Sequence, residues 1–485
     1  MQQIKGLFSD ISFRLLQGSL DGEISALVFD SRNAGANTLF CCMVGTQNDG
    51  HQFIGQAYKN GCRLFVVEKS VQLNADATII QVEDSNNALA NLACAFFGHP
   101  SKQIKLIGIT GTNGKTTSAT LLYELFSKLG YTCGLLSTVV NKIGENEITA
   151  THTTPNPVAL NRLLQEMVSS GCQYCFMEVS SHAIAQNRIG GLHFTAAGFT
   201  NITHDHLDYH KTFAEYLRVK KSFFDQLDQS SFALVNADDR NGTIMLQNTR
   251  AKGLTYAIKT PAEFKGKIIE NGLGGLILQI NGKEVHTRLV GEFNASNLLL
   301  VYGMAIGLNQ EPLEVLRVIS ELKHVAGRFE HFVSQKGITA IVDYAHTPDA
   351  LENVLKTISV FQKNRQIITV VGCGGDRDKE KRPLMAAIAS SWSHQVILTS
   401  DNPRTEDPLL IISDMESGLN KEAKSKTISV PDRQDAIKTA ILLAKPNDII
   451  LIAGKGHETY QEIHGKRTTF DDVLITQSLF NQLNR

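Results

Sequence analysis

Short apolar runs that end in small or polar residues recur along the chain, separated by stretches whose apolar residues fall at helical spacing. In the first hundred residues ALVFD (26–30), LFCCMV (39–44) and RLFVVE (63–68) read as strands, with a helical stretch near 51–60. The segment NALANLACAFFG (87–98) reads as a helix that stops at HPSKQ, where Gly98 and Pro100 interrupt the period and the buried strand IKLIGIT (104–110) begins. Beyond it YCFMEV (174–179), AAGFTNI (196–202) and FALVNA (232–237) recur between helical stretches, the pattern of crossovers in a mainly parallel sheet. Residues 255–290 change to short alternating strands (LILQI, VHTRLV), which predicts an insertion of β ribbons, and GEFNASNLLLVYGMAIG then resumes as helix. After GRFEHFVSQKG (327–337) come four more apolar strands, TAIVDYA (339–345), IITVVGCGG (367–375), HQVILTSD (394–401) and DIILIAGKG (448–456). Their ends are small or polar, as where loops at strand carboxyl ends form a ligand crevice. The expected fold class is therefore α/β in three domains. These are an N-terminal α/β domain over 1–100, a central P-loop domain with a mainly parallel sheet over 101–332, and a C-terminal Rossmann-like domain over 333–485.

Composition narrows the partners. A chain of 485 residues is long enough for three cores, and 42% hydrophobic with 20% charged residues is ordinary for a folded soluble protein. Lys+Arg at 47 against Asp+Glu at 48 leaves a net charge of −1, so no global positive field favours nucleic acid or an anionic membrane. Any anionic ligand must be met by a local site. No apolar run reaches the ~18 residues of a membrane helix, and MQQIKGLFSD lacks a basic segment followed by a hydrophobic one, so a cytoplasmic location without membrane insertion is expected. Eight cysteines are scattered through apolar segments and read as buried reduced thiols; Cys172 and Cys175 have CxxC spacing but no partner pair downstream, so no chemistry is assigned to them.

The strongest local signal is the run Gly111, Thr112, Asn113, Gly114, Lys115, Thr116 and Thr117, which follows an apolar strand and opens a helix. Glycines let the loop wrap phosphate oxygens, backbone N–H groups and the helix N-terminus face the anion, Lys115 supplies charge and Thr116 can hold magnesium. The spacing departs from the strict P-loop pattern, because Ile109 stands where that pattern has its first glycine. A divalent ion would find Glu178 at the end of YCFMEV and His206 in NITHDHLDYH after the next strand. The segment EVSSHAIAQNR is unusually polar for one joined to a buried strand, which also points to a site.

Taken in order, GTNGKTT (111–117), EVSSH (178–182), HLDYH (206–210), GEFNASN (291–297), GRFE (327–330), DYAHTPDAL (343–351), GCGGDRDKEKRP (372–383), DNPRTEDP (401–408) and GKGHE (454–458) resemble the ATP-dependent Mur ligases of cell-wall precursor synthesis across essentially the whole chain. The resemblance implies an N-terminal domain for the UDP end of the substrate, a central ATPase domain and a C-terminal domain that admits the amino acid. It also implies ATP and Mg²⁺ as cofactors, and as small-molecule substrates UDP-N-acetylmuramoyl-L-alanyl-D-glutamate (UDP-MurNAc-L-Ala-D-Glu) and meso-diaminopimelate. In that chemistry the peptide carboxylate attacks the γ-phosphate of ATP, and the amine displaces phosphate from the resulting acyl phosphate. A monomer is expected.

Residue by residue, the resemblance implies that Lys115 and Thr116 bind phosphates and one magnesium, that Glu178 and His206 are metal ligands, and that Lys220 carries a carbamate. A bare ammonium there would repel Mg²⁺, whereas a carbamate presents two oxygens and negative charge. Composition alone leaves Lys220 and Lys221 ambiguous; spacing from HLDYH favours Lys220. Asn294, Arg328, Asp343 and His346 resemble adenosine- and phosphate-side residues, some of them across a domain boundary from Lys115, so domain closure is expected to complete the site. Phe29, Ser31, Thr46, Gln47 and Asn48 match positions that hold uridine diphosphate, and Thr153, Thr154, Ser180, Gln186 and Arg188 those that hold the muramoyl peptide. The tetrapeptide Asp401, Asn402, Pro403, Arg404 goes with meso-diaminopimelate in the family, whose distal carboxylate a guanidinium can grip through two parallel hydrogen bonds. Arg377 is expected to help hold a carboxylate, Glu458 to pair with the distal amine, and Gly454 to bind substrate. Two other readings remain: a related ligase such as a folylpolyglutamate synthetase, and a P-loop switch that needs only nucleotide and magnesium.

Overall fold

The computed structural model describes all residues except 46–47, 151, 204, 206, 362–364 and 484–485, with 207 and 208 described by backbone alone. Among the described residues the strands gather into three large sheets, one in each third of the chain. The first has five strands in the order Arg14–Gln17, Thr78–Gln81, Leu64–Val67, Thr38–Cys41, Ala26–Val28, parallel except for the edge strand Arg14–Gln17. Its apolar runs are continuous because both faces are covered. Leu39, Cys41, Leu64, Val66 and Ile80 pack on one side against Leu89 and Leu92 of helix Ser85–Phe96. Phe40, Cys42, Phe65, Val67 and Ile79 face the other side, toward Ile54 and Ala57 of helix Ile54–Lys59.

The central sheet has eleven strands, with Lys105–Thr110 in its middle, between Tyr174–Glu178 and Ala196–Phe199. The register pairs Glu178 with Ile109 and Phe199 with Thr110, so the carboxyl ends of three neighbouring strands converge beside the glycine loop. The chain leaves Lys105–Thr110 to one side and returns to fill the other, which makes this the switch point where α/β folds open a crevice. The alternating strands of 255–290 are not an insertion. Tyr256 pairs in parallel with Phe264, and Phe264–Gly272, Gly275–Ile280 and Lys283–Thr287 continue the same sheet as an antiparallel meander. Leu276, Leu278, Ile280 and Val285 join the core shared with helix Glu292–Gly307, so the alternation reports one buried face of a sheet edge.

The third sheet runs Glu330–Val333, Thr339–Asp343, Ile449–Ala453, Ile367–Cys373, Gln395–Ser400, Thr427–Ser429, parallel except for the first strand. Helices Pro348–Val360, Lys381–Trp392 and Pro408–Glu416 supply buried side chains to the core on one face, and Arg433–Leu443 and Asp472–Gln482 to the core on the other. All eight cysteines are buried and unpaired. No helix among the described residues is long and apolar enough to cross a membrane.

Candidate active site

The glycine loop is built for close approach. Gly111 and Gly114 have φ of 150° and 85°; a Cβ on Gly111 would strike Thr200 Oγ1, and one on Gly114 would lie 2.5 Å from Asn297 Oδ1. Neighbouring strand ends hold the loop. The Asn113 N–H donates to Asn201 Oδ1 at 2.9 Å, the Thr112 N–H to the Asn201 carbonyl at 2.8 Å, and Thr200 Oγ1 to the Asn113 carbonyl at 2.6 Å. Helix Lys115–Lys128 starts at once with no side-chain cap, so its first N–H groups and its dipole are directed at the cavity. Lys115 Nζ folds back to donate to the carbonyls of Gly111 and Thr112 at 2.9 and 2.7 Å. Burial lowers its pKa, while the charges of Glu178 and Asp205 oppose that shift.

Glu178 is buried beside this helix start. Its Oε2 accepts from Thr116 Oγ1 at 2.9 Å and its Oε1 from the Thr138 N–H at 2.7 Å. Lys220 is 1% exposed and donates to the Gly111 carbonyl at 2.9 Å and to Thr110 Oγ1 at 3.4 Å, with its nitrogen 4.8 Å from the Tyr216 ring centre. Burial, then the Lys115 charge, drives its pKa well down, so the buried amine tends toward the neutral, nucleophilic form. Lys221 turns away to Asp225 and the Gln247 carbonyl, which separates the two lysines that composition left ambiguous. Thr116, Glu178 and Lys220 line one cavity; His206 lies outside the described residues. Two neutral or anionic oxygen donors beside a depressed amine suit a hard divalent cation if that amine is carbamylated.

That cavity, of about 550 Å³, spans the central and C-terminal domains. Arg328 reaches from the linking segment to donate to Thr116 Oγ1 at 3.1 Å, and Asn113 Nδ2 and Thr203 Oγ1 donate to Asp349 Oδ2 at 2.8 and 3.3 Å. His346 also lines the cavity; its Nδ1 is 2.8 Å from the Tyr344 carbonyl, so Nδ1 carries the proton. Burial and then the Lys381 charge hold its pKa down at about 4. Two residues expected on the nucleotide side do not line this cavity. Asp343 accepts from the N–H groups of Phe329 and Ala345 at 2.6 and 2.7 Å, and so shapes the segment bearing Arg328. Asn294 donates to the Val290 carbonyl, just before its helix, and accepts from Asn297 Nδ2 within it.

The cavity is also lined by Arg377, Asp401, Asn402, Arg404, Gly454 and Glu458, and by Thr153, Thr154, Ser180 and Arg188. Asn402 Nδ2 donates to Glu458 Oε2 at 2.7 Å, and the buried Lys455 ammonium bridges Asn402 Oδ1 and Glu458 Oε2 at 3.1 Å each. Burial raises the pKa of Glu458, and Asp401 adds to the rise. Arg404 NH1 donates to the Gly375 carbonyl at 2.7 Å. Pro403 is buried, with its carbonyl packed against Gly375. Gln186 lies off the cavity wall but accepts from Nε and NH2 of Arg188 at 3.0 and 2.6 Å, while Arg188 NH1 donates to the Thr154 carbonyl. Phe29, Ser31 and Asn48 lie apart from this cavity, beyond the carboxyl ends of strands Ala26–Val28 and Thr38–Cys41; Thr46 and Gln47 lie outside the described residues. Sequence reasoning overlooked Thr138, Asp349, Lys381 and Lys455. The last three sit inside motifs it had already marked, whereas Thr138 carried no signal.

Comparison with known proteins identifies the family. Residues 23–97 match the Mur ligase family catalytic domain, 109–305 the Mur ligase middle domain, and 327–456 the Mur ligase glutamate ligase domain. The UDP-N-acetylmuramoyl-L-alanyl-D-glutamate--2,6-diaminopimelate ligase of Cytophaga hutchinsonii is 52% identical over 485 residues, covering 100% of both chains. That of Phocaeicola vulgatus is 51% identical over 480 residues, covering 99% of each. A solved structure of an enzyme with the same name superposes with TM-score 0.70 at 30% identity, covering 100% of this chain and 99% of the other. A MurF ligase from Thermotoga maritima in complex with ADP shares the fold at TM-score 0.61 and 18% identity, over 94% of this chain and 97% of its own. With all three domains matched in order and relatives above half identity over their full length, the chain belongs to the Mur ligase family.

Proposed function

We infer that the protein is an ATP-dependent ligase that joins meso-2,6-diaminopimelate to UDP-N-acetylmuramoyl-L-alanyl-D-glutamate in peptidoglycan precursor synthesis. The observation that carries this reading is a single cavity lined both by the glycine loop with Lys115 and Thr116 and by Arg377, Arg404, Asp401 and Glu458. A carboxylate is a poor electrophile until one of its oxygens becomes a phosphate leaving group. The reaction therefore needs two anions, the peptide acid and the terminal phosphate, held against each other. In this reading the N–H groups of Asn113 to Thr117, Lys115 and Arg328 offset the charge on the phosphates, and Arg188 faces the peptide. Thr116, Glu178 and a carbamylated Lys220 would hold Mg²⁺, which would supply further charge neutralisation at the phosphates. His346, neutral at physiological pH with its proton on Nδ1, presents Nε2 as an acceptor.

Arg404 and Arg377 account for the choice of amino acid. Diaminopimelate has a distal carboxylate that lysine lacks, and lysine would leave these charges unpaired in a partly desolvated site. Glu458 and Asn402, together with Asp401, meet the distal ammonium. The domains proposed are 1–100 for the UDP end, 101–332 for ATP and 333–485 for the amino acid. The test has two arms. Phosphate release should require ATP, the UDP-peptide and diaminopimelate together, and mass spectrometry of products from a diaminopimelate and lysine mixture should show diaminopimelate incorporation. Exclusive lysine incorporation, or phosphate release with either substrate omitted, overturns the assignment.

A further inference from the structure

The motif GCGGDRDKEKRP contains a second arginine that the reading above leaves without a task. Arg382 is 0% exposed, and it grips Glu406 with both terminal nitrogens: NH1 to Oε2 at 3.0 Å and NH2 to Oε1 at 2.9 Å. Glu406 Oε1 also accepts the Asp376 N–H at 2.6 Å. The Asp376 carboxylate in turn accepts from Thr405 Oγ1 at 2.7 Å, and the Gly375 N–H donates to the Asn402 carbonyl at 2.9 Å. One buried cation therefore ties together two loops. The first, 374–378, carries Arg377; the second, 401–406, carries Arg404.

Both loops need such a tie. Asp376 and Arg404 have φ of 54° and 52°, in the left-handed region that aspartate tolerates and that costs an arginine energy its surroundings must supply. Resting on the assignment of Arg377 and Arg404 to the distal carboxylate, we propose that Arg382 and Glu406 are a positioning pair that sets the separation of those two guanidiniums, and with it the selectivity for an amino acid bearing a second carboxylate. Arg382 also donates to Asp414 Oδ2 at 2.8 Å, on helix Pro408–Glu416, and that contact reaches neither loop. It provides an internal control for a merely structural role.

The experiment measures KM for diaminopimelate, ATP and the UDP-peptide, and the kcat/KM ratio of diaminopimelate to lysine, in Glu406→Gln, Arg382→Lys and Asp414→Asn, with Arg404→Ala as reference. Glu406→Gln keeps the shape of the side chain but loses its charge, and Arg382→Lys keeps the charge but replaces the planar two-nitrogen fork by a single nitrogen. Both should raise the diaminopimelate KM by about tenfold to a hundredfold, as for a sub-ångström to ångström misplacement, and shrink the selectivity ratio by a similar factor. The other two KM values should stay within about twofold, and Asp414→Asn should match the parent enzyme. Unchanged diaminopimelate KM in both pair variants, a parallel rise in all three KM values, or an equal effect from Asp414→Asn overturns the proposal. Failure of the underlying reading looks different: the parent enzyme would not prefer diaminopimelate, or Arg404→Ala would leave its KM unchanged.

Discussion

Replacing Asp472 by asparagine should destabilise the C-terminal domain more than any surface change. Arg433 and Asp472 are 1% and 0% exposed and form a two-pronged pair, Nε to Oδ1 at 2.8 Å and NH2 to Oδ2 at 2.7 Å. The same guanidinium donates to the Ala453 carbonyl at 3.0 Å and to the Ser400 carbonyl at 3.4 Å, the last residues of two strands followed directly by Gly454 and Asp401 of the cavity wall. Asparagine keeps the shape but strands a buried cation, a change worth about 3–5 kcal/mol. For a domain of roughly 150 residues, at about 2–4 °C per kcal/mol, the melting transition should fall by about 6–20 °C. The double variant Arg433→Met, Asp472→Leu removes both charges and should recover much of the loss, because desolvation of the pair offsets most of its attraction. Calorimetry compares the three proteins, and amide exchange of strands Gln395–Ser400 and Ile449–Ala453 locates the weakening. A loss under about 1 kcal/mol for Asp472→Asn, or a double variant less stable than the single one, would refute this account of the pair.

Lys220→Ala should abolish ligation, and peptide mapping of native protein under bicarbonate should find a carboxylated Lys220 and an unmodified Lys221; modification on Lys221 instead would contradict the geometry. Asp349→Ala removes two hydrogen bonds from the P-loop side to the C-terminal domain and should lower kcat/KM for all substrates by about fivefold to a hundredfold, on the basis of about 1–3 kcal/mol. A double-mutant cycle with Asn113→Ala should give a coupling above about 0.5 kcal/mol, and additive losses would show that the contact does not hold the domains. His346, held at about 4 by burial and Lys381, stays neutral in the folded protein at pH values where an unfolded imidazole, near 6.5, takes up its proton. The unfolded state then binds more protons, so stability should fall as pH drops from about 6.5 toward 4, and the slope should flatten in His346→Gln. Urea midpoints near pH 7 and near pH 4.5 check this, and equal slopes for both proteins would sink it.

Much of the chemistry was legible in local pattern, because its requirements are local. Glycines, a lysine and a helix start in immediate succession are a local signal, and the structure has the tight glycine turn and the helix start where Gly111 to Thr117 announce them. Buried parallel strands need continuous apolar runs, so the strands and their order along the chain were visible. The alternating strands of 255–290 were misjudged because alternation reports one buried face and says nothing of which sheet it extends. Asn294 and Asp343 lie in the stretches GEFNASN and DYAHTPDAL, and their side chains satisfy backbone groups of their own neighbourhoods, which the sequence did not announce.

What the order of residues could not express is which distant atoms share a volume. Composition does not separate Lys220 from Lys221 and spacing only favours the first, whereas the rotation of helix Phe213–Asp225 sends one to the Gly111 carbonyl and its neighbour to Asp225. Thr138 meets Glu178, Asp349 meets Asn113, and Arg382 ties the loop of Arg377 to that of Arg404 only because sheet order and domain packing bring those strand ends together. Hydrogen bonds and charges act over a few ångströms, and which residues lie that close is a property of the assembled chain.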